Sequence, residues 1–429
     1  MKKTLFRAVF LLISLAIVFS ISACGNGNPA TSSSSPSSGA QPDASAPGSS
    51  APQSSGTTQG DQEFDGEIYI GCATGITGAE PEIGMHVTNT VAMAADDINA
   101  AGGVLGKKLV VIVEDDSFTA EGGLLATQRL LARGDIVALM GYMKTVGVMS
   151  SIDLLNIPTL TTASSAAIYA ADNPYLFRVF GADVVIGNAG ANWMIDKFNP
   201  SKVFIICSTD DVGNGCADVY EEVCIDRGVA YVRDSLNPGD RDFTGQVMNA
   251  KNAGCDLCLM YMQPAEAVVL LRQFHELDLV IPTIGGQPTG STSFLNQCDP
   301  AYSDGLYSFA GFDLSSAESY GLGPNDETLM SLYERYFERF GIYSDAPIGI
   351  YPLVWLLADA IERAGSTDPD AITEALWQTK DFPAFSRVLT TDYRRDMCHI
   401  TYIYQVIDNA FKLLDSAEVP IEYRNGDHN

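Results

Sequence analysis

Two short stretches bring hydroxyls and free backbone N–H groups to the places where predicted strands give way to predicted helices. One reads Gly141-Tyr142-Met143-Lys144-Thr145, the other Thr161-Thr162-Ala163-Ser164-Ser165. Helix N-termini present partial positive charge, so either stretch suits an anionic group, a carboxylate above all. Plain helix capping uses the same residue types, and the spacing alone leaves both readings open. Other candidate chemistry is thinner. Glu114-Asp115-Asp116 ends a predicted strand, at the edge where α/β clefts open, but without the ligand spacing of a calcium loop. Cys255 and Cys258 have C-x-x-C spacing, yet they lead into the buried-strand pattern Leu259-Met260-Tyr261, and the four histidines cluster with nothing. Neither zinc nor any other metal is expected. Beyond Cys24 the eight cysteines read as small apolar core residues, with one or two disulfides left open. The chain lacks a G-x-S-x-G elbow, a P-loop and a G-x-G-x-x-G after the first strand, and no histidine pairs with a nucleophile. The expectation is therefore a binder without a cofactor, and not an enzyme.

The elements that must position these loops follow a simple alternation. Ile68 to Ile70 reads as a strand, and Val87, Val91, Ala94, Ala95 and Ile98 then recur at helical spacing. Strands at 109–113, 136–140 and 158–160 alternate with helices at 121–131 and 146–155. The pattern restarts after 175–180. Predicted strands at 203–207, 229–233, 257–261 and 282–284 alternate with helices at 187–198, 213–226, 243–253 and 265–277. A crossing strand at 307–311, helices at 327–340, 351–364 and 369–378, and a strand pair at 400–407 and 411–414 complete the body. Repeated βαβ units imply parallel sheets covered by helices on both faces. Two similar α/β lobes with several chain crossings imply a hinged clamshell whose cleft lies between them.

The N-terminus carries its own signal. Lys2, Lys3 and Arg7 form a basic head, 8–19 an apolar run, and Ile21-Ser22-Ala23-Cys24 a small-residue stop. That layout is a secretory signal peptide over 1–23, and the run is short for a bilayer span. A cysteine after the cleavage point resembles the bacterial lipoprotein signal, which implies a diacylglycerol on Cys24. Residues 24–62 are Ser-, Pro- and Gly-rich and predicted to be a disordered linker, with a reach on the order of 100 Å. Cleavage would leave 22 basic against 53 acidic side chains, a net charge of −31. So acidic a body argues against nucleic acid and anionic lipid surfaces as partners.

Several stretches resemble the extracellular leucine/isoleucine/valine-type solute-binding proteins of ATP-driven importers. They include Thr74-Gly75-Ile76-Thr77-Gly78, the run from Ala95 through Asn99-Ala100-Ala101-Gly102-Gly103-Val104-Leu105-Gly106 to Leu109, and Pro174-Tyr175-Leu176-Phe177-Arg178. Gly239-Asp240-Arg241-Asp242-Phe243 and 357–365 extend the match over nearly the whole body. The resemblance implies a type I periplasmic binding protein clamshell: two doubly wound parallel-sheet lobes joined by a multi-strand hinge. Lobe 1 would take residues 63–181 and 312–390, and lobe 2 residues 182–311 with a return and tail at 391–429.

In that family the α-carboxylate of a bound amino acid is held by hydroxyls and backbone on the two loops. Those roles fall on Thr145, Ala163 and Ser165, with Thr161 opening the second loop. The second-lobe acid that pairs with the ligand's ammonium is replaced here by Gln287, and two family aromatics appear as Val212 and Ile83. An ammonium buried without a counter-charge is costly. Either Glu82 or Asp211 supplies the charge, or the ligand is not an ordinary α-amino acid. The resemblance thus implies a lipid-anchored binder of a small carboxylated solute, most simply a branched-chain-type amino acid. It would serve a membrane permease on the extracellular face of the cytoplasmic membrane, or in the periplasm of a Gram-negative cell. A sensor, or a binder of amides, urea-like solutes or aromatic acids, is the alternative.

Overall fold

A computed structural model of the chain describes residues 63–418, apart from Ala79, Ala166, Ala171, 312–328, Tyr343, Asp345 and 385–386. The expected leader, Cys24 and linker lie outside the described residues, as does the tail from 419.

The first sheet is parallel throughout, in the order β2-β1-β3-β4-β5. Its strands are β1 (Glu67–Thr74), β2 (Lys108–Asp115), β3 (Ile136–Gly141), β4 (Thr159–Thr161) and β5 (Leu176–Arg178). Helices α1 (Pro81–Ala100), α2 (Ala120–Ala132) and α3 (Thr145–Ser151) link the first four. Strand alternation feeds two cores. Ile68, Ile70 and Cys72 pack with Val87, Val91, Ala94 and Ile98 of α1, while Ala73 and Leu139 pack with Ala126 and Leu130 of α2. Helix α1 starts on Pro81, whose missing N–H is harmless there. It ends at two left-handed glycines, and a Cβ on Gly103 would stand 2.1 Å from the Lys107 carbonyl oxygen.

The second sheet runs β14-β13-β10-β9-β8-β6-β7. Its parallel part comprises β6 (Lys202–Ser208), β7 (Ala230–Leu236), β8 (Leu257–Tyr261), β9 (Thr283–Gly285) and β10 (Tyr307–Ala310). Helix α4 (Asp183–Phe198) precedes β6, and α5 (Asp211–Asp226), α6 (Thr244–Ala253) and α7 (Pro264–Glu276) link its strands. Val203, Ile205 and Cys207 face the α4–α5 side, and Phe204 and Ile206 face the α6–α7 side. Two antiparallel strands close the edge: β13 (Ile400–Ile407) pairs with β10, and β14 (Ala410–Glu418) pairs with β13.

Between these sheets the chain changes lobe repeatedly. It leaves the first sheet after Arg178, returns between Ala310 and Leu329, and leaves again between Met397 and Ile400. Helices α8 (Leu329–Phe340), α9 (Ala346–Ala364) and α10 (Pro369–Trp377), with the ribbon β11 (Phe382–Ala384) and β12 (Arg387–Leu389), add to the first-lobe core. Sequence places the start of α9 at Tyr351, but the helix begins at Ala346 and carries Pro352 inside it. An internal proline costs about 3 kcal/mol. Burying Ile350, Tyr351, Leu353 and Val354 returns about 1.5–3 kcal/mol for each large apolar side chain, so packing wins.

The eight cysteines among the described residues are all buried and unpaired. Cys258 is part of β8, as its sequence context predicts. Burial pushes the Cys72 and Cys207 thiols up to about 12, which leaves them unreactive at neutral pH.

Candidate functional site

In both sheets the strand order reverses beside the first strand, between β1 and β3 and again between β6 and β8. Ligands of open α/β sheets bind outside the carboxyl ends of strands at such points. A cleft of about 620 Å³ lies there, lined by residues that follow β3, β4, β5, β6, β8 and β9 in turn.

The first-lobe wall is built by a sharp bend after β3. Gly141 sits at φ +100°, where a Cβ would also strike the Ala73 carbonyl oxygen, so the position requires glycine, and Tyr142 follows at φ +48°. That unusual conformation is held by the buried Tyr142 ring, whose hydroxyl is 2.6 Å from Thr127 Oγ1. The bend delivers Lys144 and Thr145 to the cleft. Lys144 also pairs with Glu80 at 3.1 Å. Thr161 Oγ1 donates to the Tyr142 carbonyl at 2.8 Å and accepts the Ala163 N–H at 3.1 Å. Thr161 and Ala163 therefore tie the two loops together and do not line the cleft. Thr162, Ser164 and Ser165 do line it, and the Thr162 hydroxyl is buried without a hydrogen-bond partner among the described residues. An orphan hydroxyl is what a wall awaiting a ligand oxygen would show.

The opposite wall begins at the crossing into the second lobe. Asp183, the first residue of α4, is buried, and Gln287 Nε2 donates to its Oδ1 at 2.8 Å. Burial pushes the Asp183 carboxyl above its ordinary value, although hydrogen bonds from Ser164, Gln287 and Tyr261 and the charge of Arg178 oppose the rise. Asp210 caps α5 by accepting the Gly213 N–H at 2.7 Å, and Asp211 beside it is exposed at the cleft edge. Gln263, the residue before α7, lines the same side. Glu82 lies elsewhere: its side chain is 80% exposed, 3.8 Å from His86 one helical turn on, and it does not line the cleft. Thr145, Ser165, Asp211 and Gln287 are thus brought together, whereas Thr161, Ala163 and Glu82 are not. Asp183 and Tyr261 were not singled out from sequence. Their one signal is position, directly after a crossing strand and at the end of β8.

Two buried arginines adjoin this lining. Arg178 donates from Nε and Nη2 to Asp396 at 2.6 and 2.9 Å, and from Nη1 to the Ser165 carbonyl at 2.8 Å, which fixes the second loop. Arg387 differs. Its Nε, Nη1 and Nη2 have no hydrogen-bond partner among the described residues, and its Cζ lies 4.5 Å from the centroid of the Phe180 ring. A desolvated cation–π contact gives about 2 kcal/mol. Taking a lone cation out of water costs several kcal/mol, which exceeds that return.

Residues 67–410 match the family model described as periplasmic binding protein. The chain belongs to the periplasmic binding protein family. This binding protein is 26% identical over 339 residues to the Leu/Ile/Val-binding protein homolog 3 of Brucella melitensis, covering 77% of its own length and 89% of that relative. The branched-chain amino acid transporter substrate-binding protein LivJ of Streptococcus pneumoniae, solved with isoleucine, aligns with a TM-score of 0.68 at 20% identity. That alignment covers 82% of this chain and 99% of the other. A solute-binding protein of an ABC transporter from Rhodopseudomonas palustris, solved with 3,4-dihydroxybenzoic acid, aligns with a TM-score of 0.66 at 19% identity over 82% and 98% of the two chains. The architecture is the type I clamshell of two doubly wound α/β lobes.

Proposed function

We propose that this chain captures a small amino acid outside the cytoplasmic membrane and presents it to the permease of an ATP-driven importer. The observation that carries the reading is the polarity of the cleft. Its first-lobe wall offers the hydroxyls of Thr145, Thr162 and Ser165, and its second-lobe wall holds the buried carboxyl of Asp183 with Gln287 and Tyr261. A zwitterion fits that polarity, carboxylate toward the first wall and ammonium toward the second. Asp183 meets the need for a counter-charge that Gln287 leaves open, so neither Glu82 nor Asp211 has to supply it. The ligand then favours the closed clamshell because it touches both lobes at once. The branched-chain names carried by the Brucella and Streptococcus proteins support an amino acid as the class, and the proposed lipid on Cys24 would tether the molecule beside its permease.

A second reading is a binder of aromatic acids. Phe118, Phe180 and Tyr261 line the cleft, and the Rhodopseudomonas protein was solved with such an acid. Isothermal titration of the full chain against amino acids and benzoic acids separates the two. We expect an amino acid to bind and Thr145→Ala to weaken it about tenfold or more, the loss of one hydrogen bond to a charged group. Binding of benzoic acids alone would overturn the amino-acid reading.

A further inference from the structure

Arg178 and Arg387 are equally deep, each 1% exposed, but only Arg178 meets a carboxylate. The titratable groups felt at the Arg387 guanidinium are the Cys398 thiol and the Tyr402 hydroxyl, neither of them a carboxylate. Among the described residues, the five N–H donors of this planar group on β12 thus find no acceptor. The guanidinium lies against the Phe180 ring, and Phe180 is part of the cleft lining. The ring also packs against Gly349, where a Cβ would stand 2.6 Å from the Phe180 Cζ. A ring that touches a glycine and a cation without a hydrogen-bond acceptor among the described residues can be traded for a better partner of that cation. Phe180 thus links the cleft to the guanidinium, since it lines the cleft and Arg387 does not.

We propose that Arg387 is the seat of a second anionic group on the bound solute, so that the cleft selects small solutes with two carboxylates, such as acidic amino acids. The first carboxylate and the ammonium rest on the reading given above; the second carboxylate rests on Arg387 alone. When the solute enters, the Phe180 ring leaves its slot and the distal carboxylate takes its place against the guanidinium. A cation–π contact is exchanged for a bidentate, charge-assisted pair in a site shielded from water, where such pairs are strongest. Lysine would not substitute, because an ammonium lacks the planar fork.

The test is isothermal titration of the full chain with matched pairs, glutamate against glutamine and 2-aminoadipate against norleucine, together with glutarate, which has two carboxylates and no ammonium. The acidic member of each pair should bind at least about tenfold more tightly to the wild type, a difference of about 1.4 kcal/mol. Arg387→Met should erase that preference, so that the acidic and neutral members of each pair bind within about threefold of each other. Arg387→Lys, which keeps the charge, guards against a variant that fails to fold and should lose most of the preference as well. Equal binding of acidic and neutral partners by the wild type overturns the proposal while leaving the amino-acid reading intact. Binding of glutarate without any amino acid keeps the Arg387 seat and overturns the amino-acid reading. Silence across all five solutes overturns the proposal, and the amino-acid reading is then decided by the wider panel given above.

Discussion

If Asp183 is the counter-charge of the proposed ligand, binding is proton-linked. Burial raises its pKa in the free protein, so the folded state holds this proton more tightly than the unfolded chain does. The stability tied to that proton is complete below the ordinary carboxylate range and is lost as pH rises through the raised pKa. A bound ammonium favours the carboxylate form, so affinity should increase over the same rise and binding should release a proton. Titration in buffers of different ionisation enthalpy reads that release directly. Asp183→Asn should abolish both the release and the pH dependence; a wild type whose affinity stays flat as pH rises through and above the ordinary carboxylate range would rule out Asp183 as the counter-charge. At this scale the sequence was informative about the first lobe and less so about the second. Hydroxyls between a strand and a helix mark a wall wherever the fold puts it, and Thr145 and Ser165 are on that wall. Thr161 lies in the same loop, but its hydroxyl is consumed by Tyr142 and Ala163, which no local pattern reveals. Asp183 lies four residues before the helix that sequence starts at Gly187, and no local pattern marks it; in the structure it opens that helix. Its meaning comes from Gln287, more than a hundred residues away.

At the scale of elements, both lobes press a helix against backbone after the strand beside the switch point. A Cβ on Gly84 of α1 would lie 2.0 Å from the Gly75 carbonyl oxygen, and one on Gly213 of α5 would lie 2.2 Å from that of Ser208. Neither obstacle is the movable end of a side chain. Gly84→Ala should therefore cost about 1–3 kcal/mol by overpacking and lower the melting temperature by a few degrees, as scanning calorimetry would show. Gly106→Ala is the control for space, since nothing lies within 4 Å of it, although its φ of +72° carries a strain of its own. An unchanged melting temperature in Gly84→Ala would mean that α1 can shift away from the strand end. Most helices and strands were legible, because each strand alternates between two apolar cores and each helix carries a buried stripe. The start of α9 was not, because proline is a local signal and the pull of the first-lobe core on Ile350 and Tyr351 is not.

For the whole molecule, the reading predicts movement. An amino acid that bridges Thr145 and Asp183 should draw the lobes together, and small-angle scattering should record a smaller radius of gyration once the cleft is saturated. An identical profile with and without a solute shown by titration to bind would argue against closure. The order in which the chain visits its lobes also has a consequence for synthesis. Neither half is one continuous stretch: the first needs residues as late as Met397 for its core, and the second gains its edge pair only from residues 400–418. A nascent chain therefore cannot complete either half until almost all of it has emerged. For a polypeptide that must be threaded through a narrow channel before it works, late completion keeps the chain open during transit.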